Sequence, residues 1–193
     1  HIPGLVVVVP STPADNRGLL KTAIRSDDPV VYFEHKNIWG FEGEVAEDET
    51  LIPFGKGRLE REGDDITIVS WSAQMHVAGK AAALLQAQNI SAELIDLRTL
   101  WPWDRQMVFD SVEKTGRLLI THESVSVGGF GAEIAATVSE RLFSVLKAPV
   151  IRCAAPRVPI SYAPPLEDKV RVSSKQIVEA AEKLVNTSSN DNR

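Results

Sequence analysis

The sequence predicts an α/β protein built on a doubly wound, mostly parallel sheet. Three observations carry that expectation. Short runs of β-branched residues alternate with helix-length amphipathic segments, the order that gives parallel strands joined by crossover helices. Several of those runs are apolar throughout, as strands buried on both faces are. The length of 193 residues, 44% hydrophobic and 24% charged, suits one large domain, or one domain carrying part of a second.

Residues 5–9, Leu-Val-Val-Val-Val, read as a buried strand. Thr12-Pro13-Ala14-Asp15 then offers an N-cap, a proline at the first helical position and a carboxylate at the third. The helix runs on through Leu19, Leu20, Ala23 and Ile24, and Asp27-Asp28-Pro29 ends it, because a residue before proline is pushed out of helical geometry. Residues 30–33 are a second strand, which completes one parallel crossover unit. Residues 35–57 lose apolar periodicity and gather Gly40, Gly43, Gly55 and Gly57 with an acidic stretch, so they read as an interdomain connection.

From Arg58 the pattern becomes regular. Residues 58–61 and 66–70 flank Glu62-Gly63-Asp64-Asp65, the signature of a hairpin. A helix is expected near 75–88, then a strand over 92–97 with Ala92 and Leu94 alternating against Glu93 and Ile95. Asp104 can cap a helix reaching Lys114, and 118–121 is the next strand. Gly128-Gly129-Phe130-Gly131 opens a helix bearing Ile134, Ala135, Val138 and Leu142. Residues 150–153 are the last strand, and a proline-rich crossing leads to a helix over 173–185 that starts with a Ser173…Gln176 capping box. The polar tail from Asn186 is expected to be disordered.

Composition excludes several function classes. Twenty-one Lys and Arg against 26 Asp and Glu give a net charge of −5, without the basic excess of a sequence-independent nucleic-acid binder. No apolar run approaches the ~18 residues of a membrane span. Cys153 is the single cysteine, which rules out an intrachain disulfide and a cysteine zinc cage and fits a reducing compartment. His1-Ile2-Pro3-Gly4 leads straight into a strand, so the chain reads as one that begins in the middle of a fold.

Four places carry possible chemistry. The Gly128–Gly131 turn lies between strand and helix, where phosphate loops occur, but its spacing matches neither GxGxxG nor GxxxxGK[ST]; tight helix–sheet packing is the other reading. His122-Glu123 stands at the carboxyl end of a strand, where ligands gather in open sheets. A His beside a carboxylate can serve acid–base catalysis, yet neighbours on a strand point to opposite faces, which favours a structural or interface use. The end of the first helix, residues 23–28, presents free carbonyls beside hydroxyl and carboxylate oxygens, a set that could wrap a hard cation or form an ordinary solvated cap. In Asp96-Leu97-Arg98-Thr99-Leu100-Trp101-Pro102-Trp103-Asp104, two tryptophans flank a proline beside Arg98, either as anchors at a protein interface or as a cover over the sheet edge. His1, His35 and His76 have no partners at metal-ligand spacing, and there is no G-x-S-x-G elbow.

Several segments in register resemble the beta subunit of the 2-oxo acid dehydrogenase decarboxylating component. They are His1-Ile2-Pro3-Gly4-Leu5 with Val9-Pro10-Ser11-Thr12-Pro13, Phe33-Glu34-His35-Lys36, Ile95-Asp96-Leu97-Arg98-Thr99-Leu100 with Pro102-Trp103-Asp104, Lys114-Thr115-Gly116-Arg117-Leu118-Leu119-Ile120, and Gly128-Gly129-Phe130-Gly131-Ala132-Glu133-Ile134. The wording is most similar to the branched-chain (2-oxoisovalerate) type, with pyruvate and acetoin types close. The resemblance implies that residues 1–34 end a pyrimidine-binding domain, 35–57 link, and 58–185 form a transketolase C-terminal domain, with 186–193 as tail. It implies a thiamine diphosphate and Mg²⁺ enzyme whose cofactor-binding and catalytic residues lie outside this chain. The implied reaction is oxidative decarboxylation with acyl transfer to lipoyl-lysine, in bacterial cytoplasm or mitochondrial matrix. Implied partners are an alpha subunit, a second beta subunit and a lipoyl-bearing acyltransferase core, with Arg98, Trp101, Trp103, His122 and Glu123 as interface residues. It also implies a K⁺ site at Ala23, Ile24, Ser26 and Asp28, where relatives often carry Asp in place of Ser26. A non-catalytic assembly module and a domain of another transketolase-like enzyme are the alternatives.

Overall fold

The computed structural model describes residues 2–187. His1 and most of the expected tail lie outside them; the final helix itself extends to Asn186. In chain order the elements are β1 (Val6–Val8), α1 (Pro13–Ile24), β2 (Val30–Tyr32), β3 (Arg58–Arg61), β4 (Ile66–Ser70), α2 (Ala73–Ala87), β5 (Ala92–Asp96), β6 (Thr99–Trp101), α3 (Arg105–Thr115), β7 (Leu118–Val125), α4 (Gly131–Leu142), β8 (Ile151–Ala155), α5 (Pro164–Val170) and α6 (Ser174–Asn186). The sheet order β3-β5-β4-β7-β8, parallel apart from β3, meets the expected doubly wound architecture.

Side-chain direction along the central strands builds two layers. Ile66, Ile68, Leu94 and Leu119 point to one face and pack with α2 and α6 through Ala78, Ala81, Leu85, Ile177 and Ala181. Val69, Ile95, Leu118 and Ile120 point to the other and meet Val108 and Val112 of α3 and Ile134 and Val138 of α4. All of β4 and β5 is buried, and β5 alternates as expected, with Ala92 and Leu94 in one layer and Ile95 in the other. Glu93 is interior and paired with Lys114, whose ammonium reaches solvent. The start and end signals in sequence are used as read: Thr12 Oγ1 accepts from Asp15 N, Asp104 caps α3, and Ser173 and Gln176 form a reciprocal capping box.

One expectation is corrected, and two elements not read from the sequence are added. Residues 58–70 are not a hairpin: β3 runs antiparallel to β5, while β4 lies inside between β5 and β7. A strand as apolar as β4 needs neighbours on both sides, whereas the Arg-Leu-Glu-Arg of β3 suits an edge. The chain reaches the inner position by crossing the start of β5, where a Cβ on Gly63 would stand 2.2 Å from the Ala92 carbonyl carbon. Thr99–Trp101 is a strand, β6, which joins β1 antiparallel to make a separate sheet of order β2-β1-β6. Arg98 makes the corner with φ near +60°, and its carbonyl accepts the Val9 N–H at 2.8 Å. The proline-rich crossing contains α5, which Pro164 and Pro165 start at positions where no N–H is needed.

Candidate functional site

The two units meet at a buried charge cluster. Ser11 ends the loop after β1, Asp15 stands in the first turn of α1, and Arg58, Asp96 and Arg98 come from the second unit. The Ser11 hydroxyl donates to Asp96, Thr12 Oγ1 donates to Asp15 at 2.6 Å, and Arg98 Nε lies 2.7 Å from Asp15 Oδ1. Arg58 reaches Asp96 at 3.3 Å and Asp15 at 3.6 Å. Both carboxylates are fully buried. Burial pushes the Asp96 carboxyl up to about 6; the Ser11 bond and Arg58 oppose that shift and Asp15 adds to it. Sequence reading missed Arg58 and took Asp15 as a cap alone, since a partner so far along the chain leaves no local signal.

Outside the carboxyl ends of β1 and β2 opens a cleft of about 510 Å³, in the range of small-molecule sites. Trp39, Phe41 and Ile38 form its apolar wall, and Asn16, Glu34 and His35 stand at its polar side. Tyr32 donates to Asn16 Oδ1 at 2.7 Å and Asn16 donates to Glu34 at 2.9 Å. Burial, with Glu34 and Asp15 nearby, raises the Tyr32 phenol and keeps it protonated. His35 Nδ1 accepts the Asn37 N–H, so its proton sits on Nε2, which donates to Glu123 across a 2.7 Å pair. His76 bonds the Ser11 carbonyl at 2.8 Å, with Phe41 edge-on to its ring.

His122 and Glu123 diverge, as neighbours on a strand do. His122 is fully buried, stacked on Trp71 at 5.2 Å between centroids, and bound through Nδ1 to Ser124. Burial lowers its pKa and keeps the ring neutral. The Gly-rich turn wraps this ring: a Cβ on Gly129 would be 2.7 Å from His122 Cε1, and one on Gly131 would be 2.6 Å from Nε2. Between the two readings of the turn, this geometry is packing. It also fills the crevice between the carboxyl ends of β4 and β7, where the order of the strands reverses and open sheets take their ligands.

The remaining sequence-predicted residues are dispersed. Trp103 is buried in the core beside Val108, and Arg98 is committed to Asp15, so these two and His122 act within the chain. Trp101 is 47% exposed, with Arg105 5.6 Å from its ring centroid. At the end of α1 the Ala23 carbonyl accepts Ser26 N–H at 3.2 Å, and Ser26 Oγ accepts Asp28 N–H at 3.2 Å; Ile24 and Asp28 are exposed. Among the described residues no three His, Cys, Asp or Glu side chains converge on one point. No helix among them is long and apolar enough to cross a membrane.

Comparison with known proteins agrees with this geometry. Residues 55–177 match the family described as transketolase, C-terminal domain, and residues 1–40 match transketolase, pyrimidine binding domain. The chain is 46% identical to the acetoin:2,6-dichlorophenolindophenol oxidoreductase subunit beta of Cupriavidus necator, over 96% of this chain and 55% of that one. It is 50% identical to the mitochondrial 2-oxoisovalerate dehydrogenase subunit beta 2 of Arabidopsis thaliana, over 79% of this chain and 43% of that one. A solved structure described as a split gene transketolase, inactive beta4 tetramer, superposes with a TM-score of 0.79 at 26% identity, over 97% of this chain and 59% of that one. The chain thus spans about half the length of the curated relatives it matches. It belongs to the transketolase C-terminal domain family, preceded by a stretch of the pyrimidine binding domain and similar throughout to beta subunits of 2-oxo acid dehydrogenases.

Proposed function

We propose that this chain is the C-terminal part of the beta subunit of a thiamine-diphosphate-dependent 2-oxo acid dehydrogenase, which decarboxylates a branched-chain 2-oxo acid and passes the acyl group to lipoyl-lysine. The observation that carries this is similarity over both units at once, with residues 1–40 and 55–177 matching the two family models and 46% identity to a beta subunit over 96% of this chain. In this reading the part described here serves dimerisation and complex assembly. Residues 1–34, 35–57 and 58–185 divide it into domain end, linker and assembly domain. Trp101 and Glu123, which remain accessible, are its partner-facing residues. The partners are an alpha subunit, a second beta subunit and a lipoyl-bearing acyltransferase core, in bacterial cytoplasm or the mitochondrial matrix.

Thiamine diphosphate with Mg²⁺ supplies the carbanion chemistry of such enzymes, and both are assigned to the alpha subunit and to the rest of the pyrimidine domain. The oxygens of Ala23, Ile24, Ser26 and Asp28 are proposed to hold K⁺ at the end of α1. Ser26 gives that site one negative charge fewer than an Asp would. A non-catalytic assembly module is the second reading, favoured by the lack of three converging metal-ligand groups among the described residues. Calorimetry with thiamine diphosphate separates what each chain holds. The full-length protein mixed with its alpha partner is expected to bind the cofactor, and this 193-residue chain alone is not; micromolar binding by the chain alone contradicts the assignment.

A further inference from the structure

Where residues 45–52 cross α1, a second cavity of about 110 Å³ lies against the charge cluster. At ~30 Å³ per water molecule, that is room for three or four waters, or for one small oxyanion in their place. Arg17, Arg58 and Arg98 all border it, and Asp15 is the one carboxylate among its lining residues. Asp15 is divided between Arg98 at 2.7 Å and Arg58 at 3.6 Å. Arg58 is further shared with Asp96 and Glu60, neither of which borders the cavity. Arg17 donates to the Ala46 and Glu47 carbonyls, which hold the guanidinium without neutralising it.

The hydrogen bonding is also incomplete. Asp15 Oδ1, Arg58 Nε and Arg98 Nε are buried with no aligned partner among the described residues, so the 2.7 Å approach of Arg98 to Asp15 is charge contact without a well-directed bond. Three guanidiniums and a single carboxylate line the pocket, so N–H donors outnumber charged acceptors at its wall. Planar forks of N–H donors are the groups that best recognise carboxylate and phosphate oxygens.

We propose that this cavity binds a small oxyanion of carboxylate or phosphate size, held between Arg17 and Arg98 with Arg58 behind. Occupancy pins the segment around Thr50 and Ile52 onto α1, where Thr22 already donates to the Ile52 carbonyl at 2.8 Å. The site is argued from this cluster alone and does not depend on the function proposed above.

The test titrates the full-length protein with inorganic phosphate and, separately, with acetate by calorimetry, at ionic strength held constant with chloride. One saturable site per chain at millimolar affinity is expected for at least one of the two; phosphate alone or acetate alone names the ligand class, and both together name a general oxyanion site. Arg17→Gln is expected to weaken binding at least ~10-fold. Arg17 bonds only to backbone carbonyls among the described residues, so its loss leaves Asp15 and Asp96 paired and the fold intact. Arg25→Gln, outside the cavity and paired with Glu49, is expected to leave binding unchanged. Crystals soaked in selenate place the anion directly by anomalous scattering. No saturable binding of either anion, unchanged affinity in Arg17→Gln, or, where phosphate binds, selenate elsewhere only, overturns the proposal.

Discussion

Arg98 Nε stands 2.7 Å from Asp15 Oδ1, and through that contact the corner between β5 and β6 is held to the first turn of α1. Arg98 adopts φ near +60° to make the corner, a conformation that few non-glycine residues take without a compensating contact. Its side chain supplies that contact, and its N–H donates to Asp96 Oδ1 at 3.1 Å. One residue therefore ties the two sheets together through both backbone and side chain.

Asp15→Ala removes the partner that Arg98 and Arg58 share. Breaking one side of a buried pair costs about 3–5 kcal/mol, and Arg58 is 28% exposed, so the loss is expected at the low end, about 3 kcal/mol. Urea unfolding of the variant beside the parent measures it. A change within ~0.5 kcal/mol, the ordinary surface value, contradicts the interior role.

Asp96 makes stability pH-dependent in a defined direction. Its carboxyl titrates near 6 in the folded chain, above its ordinary value of 3.8, so the folded state binds this proton more tightly. The contribution is fully present below pH ~4 and is lost as pH rises through ~6. Unfolding free energy measured from pH 4 to 7 is expected to fall by a component that Asp96→Asn lacks. Equal slopes in the two proteins refute it.

Gly131 exists to admit the His122 ring. Gly131→Ala drives a Cβ to 2.6 Å from Nε2 and is expected to cost about 1–3 kcal/mol by overpacking. His122→Ala empties the same space, so the double variant should be less destabilised than the sum of the singles. Additive losses would mean that the two residues do not contact.

Trp101 is expected to matter to assembly and not to the chain's own fold. With 47% of its surface exposed, Trp101→Ala should change unfolding free energy by less than ~1 kcal/mol while weakening subunit association ~10-fold or more, as an aromatic interface anchor does. Sedimentation of the full-length protein with its partner reads the association, and an undisturbed assembly contradicts the placement.

Local signals reported local structure well. Thr12, Asp104 and Ser173 mark helix starts through hydrogen bonds three residues away, and the pre-proline Asp28 marks the break before β2. Strand order was not legible in the same way. β3 and β4 are adjacent in sequence and flank a turn-like stretch, yet the apolar character of β4 sends it inside and leaves β3 at the edge. Nothing local says that Thr99–Trp101 leaves its own sheet to join β1. The candidate site divides along the same line: His122 and the Gly128–Gly131 turn were each singled out locally, whereas the fit of one around the other and the Ser11–Asp15–Arg58–Asp96 cluster are relations that one sequence does not display.

Carbon dioxide release from 2-oxoisovalerate by the full-length protein reconstituted with its alpha subunit tests the central claim most directly. The account predicts turnover that requires both subunits and added thiamine diphosphate, with 2-oxoisovalerate preferred over pyruvate. No release from 2-oxoisovalerate, pyruvate or any other 2-oxo acid by the reconstituted assembly would contradict it.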